Sequence, residues 1–163
     1  MLSGFFGRFS KNLGVDLGTS NTLIVQSDKG IVVDSPTVVA INNKTNQIIA
    51  VGHEAKDMVG KIPPYIDTYL PLTRGIISDY EITEKLLRYL INRVHEQSTA
   101  LIPRPRVLVG VPLEATEVER KAVEDVVLAA GSREVIMVED VMAAAVGARL
   151  PIEEPVGSMI VDI

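Results

Sequence analysis

The chain has 163 residues, enough for one domain or two small subdomains, with 47% hydrophobic residues and a formal net charge of −5. No Cys, two His, no Trp and 4% aromatics argue against disulfides, a structural zinc site and base stacking. The negative charge and scattered Lys and Arg exclude nucleic acid as a general partner, and at a mean hydropathy of +0.25 no apolar run approaches the ~20 residues that span a bilayer.

Residues 1–9 hold all three Phe of the chain. On a helix, Leu2, Phe5, Phe6 and Phe9 fall within an arc of about 100°. No acidic residue precedes Asp16, while Arg8 and Lys11 are positive, which suits an anionic leaflet. The segment is too short to span, and its charges follow the apolar residues, unlike a signal peptide. It is expected to be a membrane-binding amphipathic helix. The alternative is a stripe docked on the protein's own core.

A strand pattern runs over 14–17, then a small-residue turn over 18–21, then a second strand over 22–26. Further β-rich runs at 31–33 and 37–41 suggest an antiparallel meander. Residues 42–77 change character, with a short helical stretch near 54–59 and prolines at 63, 64 and 71, and read as a small inserted subdomain. Over 83–97, Leu86, Leu87, Leu90, Ile91 and Val94 are spaced for one face of a helix. The continuous apolar run 107–111 predicts a strand buried on both faces. Thr116 and Glu119 form a capping-box pattern that opens a helix to about Ala130, ended by Gly131. A second buried strand is expected over 135–138, an Ala-rich helix over 140–147, a linker over 151–155 and a new strand over 159–163. A meander followed by strand–helix–strand–helix gives an α/β domain, a mixed sheet with helices packed on it. A last strand with nothing to pair against is a poor domain end, so the C-terminus is expected to be a truncation.

The sharpest local motif is Asp16-Leu17-Gly18-Thr19-Ser20-Asn21-Thr22 between two strands. A tight turn at Gly18 can point backbone N–H groups into one concavity suited to phosphate oxygens. Thr19, Ser20 and Asn21 add side-chain donors. Asp16 at the strand end can hold the water shell of Mg²⁺, which keeps several waters and takes few carboxylates. The same residues are ordinary in a plain β-hairpin turn, and the motif alone leaves both readings open.

Over residues 12–23 the chain resembles the first phosphate motif of the actin ATPase superfamily, and within it the MreB family of bacterial actins. The resemblance continues through 30–41, 51–56 and 71–80. It is most characteristic at Pro105-Arg-Val-Leu-Val-Gly-Val-Pro112, followed by residues 116–120, and at Met142-Ala-Ala-Ala-Val-Gly147, then residues 155–163. It covers residues 10–163 in order. It implies an actin-like (ribonuclease H-like) fold, with subdomain IA over 10–34 and 78–147 and subdomain IB over 35–77. Residues 148–163 would then be a linker and the first strand of a truncated subdomain IIA. It further implies ATP or GTP with Mg²⁺ in a cleft between two halves, and head-to-tail polymerisation coupled to hydrolysis. The implied place is the cytoplasmic face of the inner membrane, with membrane-embedded cell-wall elongation proteins as partners. Asp162 matches a carboxylate that helps organise Mg²⁺ and water at a second phosphate loop, and that loop is missing. The family's water-positioning Glu-Pro is matched here by Asp140-Val141. Asp140 is one methylene shorter, and as a helix N-cap it would need no catalytic role. Leu101 and Ile102 sit where relatives carry an apolar membrane loop. A sugar kinase would need a sugar site with an acidic base and extra insertions, and nothing here supplies one; a DnaK-type chaperone would carry different IB sequences and a peptide-binding domain after the ATPase. The remaining alternative is a fragment inert by itself.

Overall fold

A computed structural model describes residues 12–96 and 104–161. Its first elements are β1 (Asn12–Leu17), β2 (Asn21–Gln26), β3 (Gly30–Pro36), β4 (Val39–Asn42), β5 (Gln47–Val51) and α1 (His53–Met58). Next come β6 (Ile66–Tyr69), β7 (Leu72–Thr73), β8 (Ile76–Ile77) and α2 (Tyr80–Glu96). The chain continues with β9 (Arg106–Val111), α3 (Glu117–Ala129), β10 (Glu134–Glu139) and α4 (Asp140–Gly147).

The main sheet has five strands in the order β3-β2-β1-β9-β10. β1, β2 and β3 form an antiparallel meander, while β1, β9 and β10 run parallel. Parallel neighbours need a crossover, which α3 supplies between β9 and β10. Side chains alternate across each strand, so Leu13, Val15 and Leu17 share one face with Thr22, Ile24 and Gln26 and with Val107, Val109 and Val111. Onto that face pack Leu86, Leu87, Leu90 and Ile91 of α2 and Val123, Val126 and Val127 of α3. Each such side chain contributes roughly 1.5–3 kcal/mol of burial, so packing of the apolar stripe, more than intrinsic propensity, holds these helices. The Thr116 hydroxyl accepts from the Glu119 N–H while the Glu119 carboxylate accepts from the Thr116 N–H, closing the expected capping box.

Strand β4 leaves the meander and pairs with β5 and β6 in a separate sheet. Val38, Ala40, Ala50, Ala55 and Ile66 form a small second core there. Val39, Ile41 and Val51 face back into the main one.

Three expectations need correction. The 107–111 strand is buried on one face only, and Leu108 stays 44% exposed. The 135–138 strand is not buried either; β10 is an edge strand with Ile136 41% exposed. Among the described residues no second helical layer covers the face that carries Val25, Ile31, Leu108 and Ile136. Apolar runs report greasiness and do not say whether a second layer is present. Residues 159–161 form no strand, and Met159 is 83% exposed. An extended segment becomes a strand only where a neighbour pairs its backbone, and no described strand lies beside it.

Candidate functional site

The turn between β1 and β2 is held from behind by Thr37, which is fully buried. Its N–H donates to the Ser20 carbonyl at 2.9 Å and its hydroxyl to the Gly18 carbonyl at 2.7 Å. A hydroxyl has one proton. The 2.9 Å contact between the Thr22 and Thr37 hydroxyls is therefore Thr22 donating. In a planar trans peptide the N–H opposes the C=O. With the Gly18 and Ser20 carbonyls turned to Thr37, the N–H groups of Thr19 and Asn21 face away from it, as a phosphate cradle requires. The turn is tight: a Cβ on Gly18 would stand 2.6 Å from the Asn21 carbonyl oxygen.

A second brace comes from the β7–β8 hairpin. Arg74 (φ 53°) and Gly75 (φ 73°) make its turn, the positive-φ pair that matches strand twist in two-residue hairpins. The Gly75 N–H donates to Thr19 Oγ1 at 2.7 Å. The Thr19 oxygen thereby accepts one bond, and its proton is left to donate.

The segment after β9 is the third wall. Arg120 of α3 donates to the Ala115 carbonyl at 3.2 Å and the Leu113 carbonyl at 3.5 Å, and its guanidinium lies 3.6 Å from the Glu139 carboxylate. It thus ties the 113–115 loop to the end of β10, one residue before Asp140. Glu119 nearby is held below the usual carboxylate range by the Thr116 backbone N–H, then by the Thr116 hydroxyl.

Asp140 is the first residue of α4, and the N-cap position falls to Glu139, which makes no side-chain cap bond. The expectation of Asp140 as N-cap is corrected accordingly. Its Oδ1 lies over Gly110 of β9, where a Cβ would stand 2.1 Å away. Asp16 is exposed near the end of β1, on the face opposite Val15. Gly18 follows β1 and Asp140 follows β10, with β9 between them, so two strand spacings, about 10 Å, separate them. Asp16, Gly18, Thr19, Ser20, Asn21 and Asp140 are thus gathered at the C-terminal ends of the parallel strands, where open α/β sheets bind ligands.

Among the described residues no group of three or more His, Asp or Glu could cage a metal ion. Mg²⁺ takes one or two carboxylates beside waters and substrate phosphates, and among the described residues Asp16 is the carboxylate at the loop that could hold it in that way. Asp162 lies outside the described residues, as do Leu2, Phe5, Phe6, Phe9, Leu101 and Ile102. Thr37, Gly75, Gly110 and Arg120 were not singled out from sequence. A Thr after Ser-Pro and an Arg-Gly turn are weak local signals, and only their partners across the fold show what they do.

The model of the MreB/Mbl protein family matches residues 10–163. The cell shape-determining protein MreB of Escherichia coli K12 is 48% identical over 167 residues, covering 100% of this chain and 48% of its own length. The crystal structure of MreB5 of Spiroplasma citri bound to ADP superposes with a TM-score of 0.79 at 38% identity, over 90% of this chain and 43% of that one. A MamK double helical filament shares the fold, with a TM-score of 0.71 at 21% identity over 86% of this chain and 44% of its own. The chain therefore spans about half the length of these relatives, and its fold is actin-like, a mixed sheet with helices packed against it.

Proposed function

This chain belongs to the MreB/Mbl family, and on that premise we propose that it is the phosphate-gripping half of an actin-like filament protein that determines cell shape. The braced turn carries the reading. Thr37 and Gly75 hold the 18–21 loop from two sides, while Asp16 and Asp140 stand at the same end of the sheet.

In this reading, residues 10–34 with 78–147 and residues 35–77 act as subdomains IA and IB. Residues 148–163 lead into IIA, where Asp162 would face the site from the far side. The loop N–H groups and the donors of Thr19, Ser20 and Asn21 bind the phosphates of ATP or GTP. Asp16, with Asp162, would hold Mg²⁺ through water, and the ion would neutralise charge on the phosphates. Asp140 orients the attacking water. The oxygen of that water bonds to the γ-phosphorus as the bond to the β–γ bridging oxygen breaks, and its proton leaves with the released phosphate, giving the nucleoside diphosphate and inorganic phosphate. Such catalysis rests on positioning and electrostatics. Self-assembly is the proposed output, as in the MamK filament. Attachment to the inner face of the membrane would run through Leu2, Phe5, Phe6 and Phe9, assisted by Leu101 and Ile102, with cell-wall elongation proteins as membrane partners. One weak anchor per subunit gains strength from the polymer.

The test uses the protein extended to its relatives' full length. Mg-ATP should drive it into sedimentable filaments visible by electron microscopy, with phosphate release. Asp16→Asn should lose both. Assembly and phosphate release that are indifferent to this substitution would remove Asp16 and the loop from the mechanism.

A further inference from the structure

Gly110 sits inside β9, paired with Val138 of the neighbouring strand. Glycine is a poor strand residue, because it loses more backbone freedom than alanine and packs nothing. Backbone conformation does not demand it either, since Gly110 is not among the residues with positive φ. What it supplies is room. A Cβ at this position would lie 2.1 Å from Asp140 Oδ1 and 3.3 Å from its Cγ. Ordinary contact begins at 3.4 Å. The Asp140 carboxylate therefore occupies the space where residue 110 would carry its side chain.

The register says where that seat lies. Val15 pairs with Val109 in the parallel ladder. One residue further, Asp16 comes level with Gly110, on the face opposite the core. The seated carboxylate is thus one strand spacing, about 5 Å, from the β1 strand that carries Asp16. The corner that delivers it is pinned on its other side, where Arg120 faces Glu139 and grips the 113–115 loop. An added side chain at 110 cannot easily be absorbed by moving that corner. It would turn the carboxylate out of its seat.

We propose that Gly110 is the positioning residue for Asp140: the side chain it lacks leaves the seat that fixes where the short aspartate meets the attacking water. The proposal rests on the reading of Asp140 as the water-orienting carboxylate. It also accounts for how an aspartate, with little reach, serves at this place. The carboxylate needs a seat against the backbone because it cannot extend from a distance.

Two measurements test it. In the 163-residue chain, urea unfolding is compared for wild type, Gly110→Ala, Asp140→Ala and the double variant. Gly110→Ala should lower the midpoint when Asp140 is present. It should leave the midpoint unchanged, or raise it, when residue 140 is alanine and the seat is empty. Gly110→Ser repeats the comparison with a polar side chain. Equal shifts in both backgrounds would overturn the proposal. In the protein of full relative length, Gly110→Ala should slow single-turnover phosphate release at least tenfold with the nucleotide KM unchanged. Adding it to Asp140→Asn should slow that variant no further. Release at the wild-type rate from Gly110→Ala would also overturn the proposal. If the unfolding data show coupling but Asp140→Asn hydrolyses like wild type, the role of Asp140 itself falls. Additive unfolding data beside a slow Asp140→Asn remove Gly110 alone.

Discussion

Replacing Thr37 with valine keeps the shape of the side chain and removes one hydroxyl from a fully buried position. Two groups lose a partner. The Gly18 carbonyl loses its 2.7 Å donor and the Thr22 hydroxyl its 2.9 Å acceptor. A hydrogen bond is worth about 1 kcal/mol net, and a buried polar group left without one costs about 1–3 kcal/mol. Together these put Thr37→Val near 2–3 kcal/mol. Thr22→Val removes the same 2.9 Å contact but leaves the Thr37 proton on Gly18, so it should cost only about 0.5–1 kcal/mol. The double variant should cost less than the sum, because the lost pair leaves no widowed hydroxyl. In urea, with a slope of roughly 2 kcal/mol per molar, the midpoint should fall by about 1 M for Thr37→Val and about 0.4 M for Thr22→Val. Circular dichroism across a urea titration of the chain reads both. Thr22→Val costing as much as Thr37→Val, or strict additivity in the double variant, would refute the direction of the proton and with it the account of how the loop is braced. The Thr37 N–H to Ser20 bond survives either change, so the loop should loosen without collapsing.

Thr116→Ala should cost about 1 kcal/mol near neutral pH through loss of the α3 cap, read by the same titration. The Glu119 carboxyl has a depressed pKa because Thr116 donates to it. Its contribution is therefore fully present above the unfolded value and is lost as pH falls through the folded one; the gap between wild type and Glu119→Gln should close as pH is lowered below 4.5. In the protein of full relative length, Asp140→Glu should slow phosphate release about tenfold, equivalent to about 1.4 kcal/mol of barrier, because the longer side chain no longer sits in the space over Gly110; a faster rate would show that the seated aspartate does not reach the water. Phe5→Glu/Phe9→Glu should abolish co-sedimentation of that protein with anionic liposomes, and equal pelleting of wild type and variant would leave Leu101 and Ile102 as the remaining membrane contact.

Local chemistry was legible in the order of residues. The 3.6-residue spacing of Leu86, Leu87, Leu90, Ile91 and Val94 places α2, and the Thr116–Glu119 pair places the start of α3, because periodicity and caps act between near neighbours. The Asp16–Thr22 motif was equally plain as a loop between strands. What it left open was how that turn is held, and tertiary contacts supply the braces. Thr37 lies 15 residues beyond Thr22 and 19 beyond Gly18, and Gly75 lies 56 beyond Thr19. No local pattern links such positions, since the sheet and the β7–β8 hairpin bring them together. The burial of β9 and β10 was misjudged for the same reason. Val107, Val109 and Val111 are covered by α2 and α3 while Leu108 is not, and hydrophobicity along a strand cannot say how many layers will pack on it. The place of Asp140 shows the division most clearly. Its presence and its length are written in the sequence, but its carboxylate rests where Gly110 has no side chain, and only the parallel pairing of β9 with β10 puts that space beneath it.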